Sequence, residues 1–289
     1  MSKSRKLREI LARPRGTVSM GVFDCLSARI AEESGYDLVS ISGNGMVASL
    51  LGMPDLGLAT QTEIVTQSRN IARAVDVPLI ADADNGYGGV LNVARTVQEF
   101  EAAGIAGILL EDQLFPKRSS TVGPPELVSP AEFEACVRAA VAARRDPDFV
   151  IIARTDARMV EGLDSAIARM NGYAAAGADC AFYSSLQSRD ELVRVVQETP
   201  LPVKLNVIEG YPPSMFRSDE LLDMGFALVG YSGFLQRAAM RTMFETLALF
   251  AEEQTTQGAL MDKVLSTTRR NEVLRLSEFK DFETAQTKR

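Results

Sequence analysis

Apolar and polar positions along this chain follow two alternating patterns. Four times an amphipathic helical stretch runs into a glycine and then into a short apolar strand. These are ARIAEESGYDLVSISG (28–43), QEFEAAGIAGILLED (98–112), MNGYAAAGADCAFYSS (170–185) and ELLDMGFALVGYSG (220–233). Each glycine stands where a helix ends and the backbone turns with φ > 0, which glycine does without steric cost. Between these units lie VDVPLIADAD (75–84), DPDFVIIARTDA (146–157) and TPLPVKLNV (199–207), and TVSMGV (17–22) precedes the first helix. That makes eight strands alternating with helices. Their near-continuous apolar character is what parallel strands need when both faces are covered. The pattern predicts a closed (β/α)8 barrel of the TIM type; a doubly wound open sheet is the architectural alternative. No Ser/Gly/Pro-rich linker interrupts the run, so residues 1–289 read as one domain. The barrel spans about 15–250, with FETLALFAEE (244–253) expected to close it. A helical extension follows over about 251–289 and is expected to pack on another subunit.

Composition narrows the picture. With 46% hydrophobic and 24% charged residues the chain can bury a core. A net charge of −7 without a basic stripe excludes nucleic acid as a partner. No run of 18 apolar residues predicts a membrane span, and MSKSRKLREILARP lacks the apolar centre of a signal peptide. It reads as a short amphipathic helix ending near Pro14. Cys25, Cys136 and Cys180 are scattered, which fits neither a disulfide framework nor a zinc site and suits a reducing, cytoplasmic compartment. The chain has no histidine, so imidazole acid–base chemistry, histidine–metal ligation and Ser–His–Asp triads are excluded.

In a barrel of this type the chemistry sits at the C-terminal ends of the strands. Those ends carry Ser42-Gly43-Asn44, Asp82-Ala83-Asp84, Glu111-Asp112, Arg154-Thr155-Asp156, Asn206 and Tyr231-Ser232. Asp82 and Asp84 are two residues apart, so strand alternation places both on one face, where they would converge with Glu111. Three carboxylates crowded together take up protons unless a cation is present. With oxygen ligands alone, that cation is expected to be Mg2+, or Mn2+. The guanidinium of Arg154 ends an apolar run and suits a substrate carboxylate or phosphonate. The segment 111–129 carries Lys117 and Arg118 and reads as a lid over the site.

Together SGNGM…LGMPD, ADADNGYGG, EDQLFPKR and IIARTDA resemble the isocitrate lyase/phosphoenolpyruvate mutase superfamily over about residues 6–250. Nearest are its small bacterial members: methylisocitrate lyases, carboxyphosphonoenolpyruvate mutases and oxaloacetate decarboxylases. The resemblance implies a homotetrameric barrel with an exchanged C-terminal helix. It implies Mg2+ held by Asp82, Asp84 and Glu111, partly through water, with Asp55 beside the metal. It further implies that Ser42, Gly43 and Asn44 hold the substrate carboxylate, Arg154 the oxo-acid end and Asn206 the distal group, with Lys117 in the gating loop.

Two departures from the family pattern carry information. Superfamily lyases have Lys-Arg-Cys-Gly-His or Lys-Lys-Cys-Gly-His in that loop, whereas here it reads Lys117-Arg118-Ser119-Ser120-Thr121. Ser119 replaces the thiol, and a hydroxyl is a far poorer acid near neutrality. On strand six Ser184 stands where the lyases usually have glutamate. Tyr231 and Tyr183 are the remaining candidate proton donors. The expected activity is cleavage of a carbon–carbon bond in a small oxo- or hydroxy-di- or tricarboxylic acid through a pyruvate enolate, with oxaloacetate-type decarboxylation favoured over methylisocitrate- or dimethylmalate-type cleavage. A phosphonopyruvate hydrolase or carboxyphosphonoenolpyruvate-type mutase acting on a C–P bond is the second expectation. A non-catalytic dicarboxylate-binding barrel is the third.

Overall fold

The computed structural model describes residues 1–117 and 123–287. They form two compact units, Met1–Phe234 and Leu235–Arg289. In the first unit the strands are β1 (Thr17–Val22), β2 (Val39–Ile41), β3 (Leu79–Asp82), β4 (Gly107–Glu111), β5 (Val150–Thr155), β6 (Cys180–Tyr183), β7 (Val203–Asn206) and β8 (Leu228–Tyr231). All pair in parallel and in sequence order, and β8 returns to β1 through Thr17↔Leu228. The barrel is therefore closed, and the open-sheet alternative falls. Helices α1 (Lys3–Leu11), α2 (Cys25–Glu33), α3 (Gly43–Leu51), α4 (Gln61–Ala74), α5 (Val90–Ala102), α6 (Pro130–Ala143), α7 (Ala157–Val160), α8 (Leu163–Ala175), α9 (Arg189–Glu198) and α10 (Ser218–Asp223) connect them.

Local chemistry explains the boundaries. Asp24 with Ser27, Thr60 with Glu63 and Ser129 with Glu132 form reciprocal capping boxes that start α2, α4 and α6, and Pro130 opens α6. The four repeat glycines, Gly35, Gly104, Gly177 and Gly225, all have φ between 84° and 105° where a helix turns into the next strand. The inward faces of the strands meet in a cluster containing Leu38, Ile80, Leu109, Ile152, Phe182 and Leu228. Helix α1 plugs the N-terminal end of that cluster with Leu7 and Ile10, and its Arg8 donates to the Asp148 carbonyl and to Asp179. Burying a leucine such as Leu7 stabilises by about 1.5–3 kcal/mol. With one end plugged, the C-terminal end of the barrel remains as the mouth.

The second unit continues α11 (Phe234–Glu253), then a 3-10 segment (Gly258–Lys263), α12 (Thr267–Val273) and α13 (Leu276–Thr287). The stretch expected to close the barrel lies in α11, and none of that helix's residues is buried. Met243, Phe244 and Leu247 on α11, and Phe279 and Phe282 on α13, are exposed. Among the described residues no helix is long and apolar enough to cross a membrane.

Candidate active site

The mouth is built from strand ends and the turns that leave them. Ser42 caps α3 by accepting from the Gly45 amide at 3.2 Å. A side chain at Gly43 would lie 2.7 Å from Asp82 Oδ2, so only glycine lets the start of α3 approach that carboxylate. Strand β3 ends at Asp82, two residues earlier than the alternation argument assumed. Asp84 sits beyond it with φ 50°, and its amide donates to Asp82 Oδ1 at 3.2 Å. The two aspartates are thus brought together by a left-handed turn and not by strand periodicity.

Two buried cations organise the acids. Lys117 is 6% exposed, with Nζ 3.0 Å from Asp55 Oδ2 and 2.5 Å from Asp84 Oδ1. Arg154 Nη1 lies 2.9 Å from Glu111 Oε2, and Nη2 donates to Asp156 Oδ1 at 2.9 Å. Its Nε is 2.9 Å from Asp156 Oδ2 but lacks the alignment of a hydrogen bond. A second tier fixes this arrangement. Asp156 accepts from Gln113 Nε2, and its own amide donates to Asp112. Asp112, fully buried, also accepts from Thr155 Oγ1 at 2.7 Å and from the Tyr173 hydroxyl at 2.9 Å. The stem of the 111–129 segment is a narrow hairpin, with Gln113 bridged to Leu127 and the Leu114 amide donating to the Glu126 carbonyl. That stem delivers Lys117 into the mouth.

Burial pushes the Glu111 carboxyl up to about 8, and Arg154 and Lys117 offset this only in part. Burial likewise raises Asp84 to about 6 against the pull of Lys117, while Asp82 and Asp55 add to the rise. Burial alone would lower Lys117, but Asp84, Asp82, Glu111 and Asp55 together hold it well above its ordinary value. Asp156 is held below its usual range because Arg154 outweighs the effect of burial.

Among the described residues no three acidic or thiol side chains are already arranged around one metal-sized point. The donor set nonetheless fits a hard divalent cation. Glu111 Oε1 is buried without a hydrogen-bond partner, Asp82 lies close enough to raise the Glu111 carboxyl, and Asp84 is already engaged by a cation. Every available ligand is oxygen, which selects for Mg2+ or Mn2+ chemistry.

The remaining expected residues distribute as follows. Asp55 joins the cluster through Lys117, and Asn206, at the end of β7, accepts from Lys204 Nζ. Ser42, Gly43 and Asn44 open α3 beside Asp82. Ser119 lies outside the described residues. Tyr183 and Tyr231 point away from the axis: their hydroxyls pair with Thr199 and Ser218, at 2.7 Å each. Alternation explains this, because Phe182 and Ser184 face inward beside Tyr183 and Gly230 beside Tyr231. Neither hydroxyl is directed at the barrel axis. Reading strand ends alone missed the supporting role of Asp112 and Asp156 and the inward lysine at 204. The signal for the last was available, since Lys204 stands two residues before Asn206 in VKLN.

Fold and site together define a (β/α)8 barrel enzyme with an acidic, cation-rich centre at the C-terminal mouth. The profile of the family described as Phosphoenolpyruvate phosphomutase matches residues 7–251, and the chain belongs to this family, within the phosphoenolpyruvate mutase/isocitrate lyase superfamily. The 2,3-dimethylmalate lyase of Eubacterium barkeri is 36% identical over 283 residues, covering 98% of each chain. Among solved structures, oxaloacetate acetylhydrolase in complex with the inhibitor 3,3-difluorooxalacetate superposes with a TM-score of 0.93 at 33% identity, over 100% of this chain and 98% of that one. Phosphonopyruvate hydrolase in complex with oxalate and Mg2+ superposes with a TM-score of 0.90 at 30% identity over the whole of both chains.

Proposed function

We propose that the protein is a Mg2+-dependent carbon–carbon lyase that releases pyruvate, or its enolate, from a small oxo- or hydroxy-di- or tricarboxylic acid. Decarboxylation of oxaloacetate is the favoured reaction, and cleavage of a dimethylmalate- or methylisocitrate-type acid is the alternative within the class. The observation that carries this reading is the buried Glu111 oxygen that lacks a partner beside Asp82 and Asp84, at the mouth of a barrel whose relatives act on such acids. Asp82, Asp84 and Glu111 would hold Mg2+, which supplies a Lewis acid for the enolate oxygen. The α3 start at Ser42, Gly43 and Asn44 presents amides to the substrate carboxylate. Arg154, held rigidly by Asp156, faces the oxo-acid end, and Lys117 carries positive charge in with the lid stem. With no histidine and no lid thiol, the minimal site suits decarboxylation, where water can deliver the proton. Ser119 remains the lid's candidate polar contact.

Ser184, standing where lyases usually carry glutamate, weakens a methylisocitrate-type assignment, and C–P chemistry is the second reading. Exposed apolar residues of α11 support assembly into a homotetramer by helix exchange, and three free cysteines support a cytoplasmic setting. The test is pyruvate release coupled to lactate dehydrogenase, with Mg2+ and with EDTA, from oxaloacetate, dimethylmalate, methylisocitrate, citramalate and phosphonopyruvate. EDTA-sensitive pyruvate from a carbon acid supports the lyase. Pyruvate from phosphonopyruvate alone transfers the chain to the second reading, and unchanged rates in EDTA end the metal assignment.

A further inference from the structure

Among the described residues, the buried Lys204 of the barrel forms no ion pair. Lys204 is 3% exposed, and among the described residues its only side-chain hydrogen bond is to Asn206 Oδ1. Register places it level with Phe182, which is level with Arg154, so all three face the axis. Lys204 Nζ stands 4.8 Å over the Phe182 ring, and Arg154 stands 5.4 Å from the same ring on its own side. Arg154 is already engaged by Glu111 and Asp156, whereas no carboxylate among the described residues lies within ion-pairing distance of Lys204. Its polar neighbours close in over a glycine. A side chain at Gly230 would come within 2.7 Å of Asn206 Oδ1 and 3.2 Å of both Lys204 Nζ and Ser19 Oγ. Gly230 is not in a positive-φ conformation, so its missing side chain serves the close approach of Asn206 and the Lys204 ammonium and not backbone freedom. Ser19 in turn accepts from the Ser40 hydroxyl at 3.2 Å, so this face of the interior is polar.

A buried ammonium without a counter-ion is costly, and a fold that needed only to fill this volume would place an apolar residue there. Burial depresses Lys204 to about 8, so it remains largely protonated at neutral pH. We propose that Lys204, with Asn206 beside it and Gly230 opposite, is a second anion-recognition point. It takes the carboxylate or phosphonate oxygens that the substrate carries beyond its metal-binding end. This inference rests on the reading of the mouth as an oxo-acid site and deepens it: the lysine selects acids with two anionic ends over those with one.

The test is calorimetric binding to the full-length protein with Mg2+ of three acids that share one α-hydroxy-acid end. Lactate has no distal anion, malate has a distal carboxylate, and 3-phosphonolactate has a distal phosphonate. The wild type should bind one or both diacids at least tenfold more tightly than lactate, and the stronger of the two identifies the distal group. Lys204→Met should reduce that preference to within twofold while leaving lactate unchanged, and should melt no lower than the wild type. Gly230→Ala keeps the lysine but displaces Asn206 and the ammonium from their positions, and should lose the same preference. A Lys204→Met protein that keeps the preference, or that loses lactate equally, overturns the proposal. Diacid preference that depends on Lys204 but not on Mg2+ would uphold the lysine and reject the metal reading. No binding of any acid would reject both.

Discussion

Replacing Glu111 with glutamine isolates the energetic cost that metal binding is expected to relieve. In the metal-free protein the folded-state carboxyl is raised from 4.5 to about 8 by burial. A group raised in this way favours the folded state while protonated. That stability is fully present below pH 4.5 and is lost as pH rises through 8. At 1.36 kcal/mol per pH unit the complete loss is about 5 kcal/mol, and about 3 kcal/mol of it has gone by pH 7. Glutamine has nearly the same shape, keeps an acceptor for Arg154 and cannot ionise. In EDTA at pH 7–8 the Glu111→Gln protein should therefore melt above the wild type, by roughly 6–20 °C at the usual 2–4 °C per kcal/mol for chains of about this size. Mg2+ should reverse the order. At a hundred times its dissociation constant a ligand adds about 2.7 kcal/mol, and the variant should forgo most of this because it lacks a charged ligand. Differential scanning calorimetry from pH 5 to 8.5, with EDTA and with Mg2+, reads both effects. A variant that melts at or below the wild type in EDTA at pH 8, or that gains as much from Mg2+, would refute the assignment of Glu111 as a strained metal ligand.

Two further outcomes follow from the same geometry. Lys117→Met removes the cation that occupies Asp84, so Mn2+ affinity measured without substrate should rise while turnover falls by on the order of 10²-fold; weaker Mn2+ binding would show that Lys117 helps to build the metal site instead of competing for it. Asp112→Ala leaves Thr155, Tyr173 and the Asp156 amide without their shared acceptor and should cost about 3 kcal/mol in urea unfolding, whereas a loss under 1 kcal/mol would mean the network is not what holds Asp156 and Arg154.

The sequence by itself determined the architecture and the neighbourhood of the chemistry. The helix–glycine–strand unit is local, since each glycine's positive φ and each capping box is set by residues a few positions away, and eight strands alternating with helices leave few ways to cover every strand. Polar residues that end apolar strands marked the mouth for the same reason, as burying them elsewhere would be costly. What the sequence could not decide is which of these charges is satisfied. Whether Arg154 is ion-paired within the chain or open to substrate was decided only when β4 and the turn after β5 brought Glu111 and Asp156 against it, and only the register placed Lys204 over Phe182 with no ion-paired acid among the described residues. Asp84 reached Asp82 through a left-handed turn that no periodicity announces, and Tyr183 and Tyr231 faced the helices because the alternation phase was fixed by their barrel neighbours. Periodicity orders side chains within one element; desolvation and ion pairing depend on distances between elements far apart in the chain, and only the closed barrel sets those.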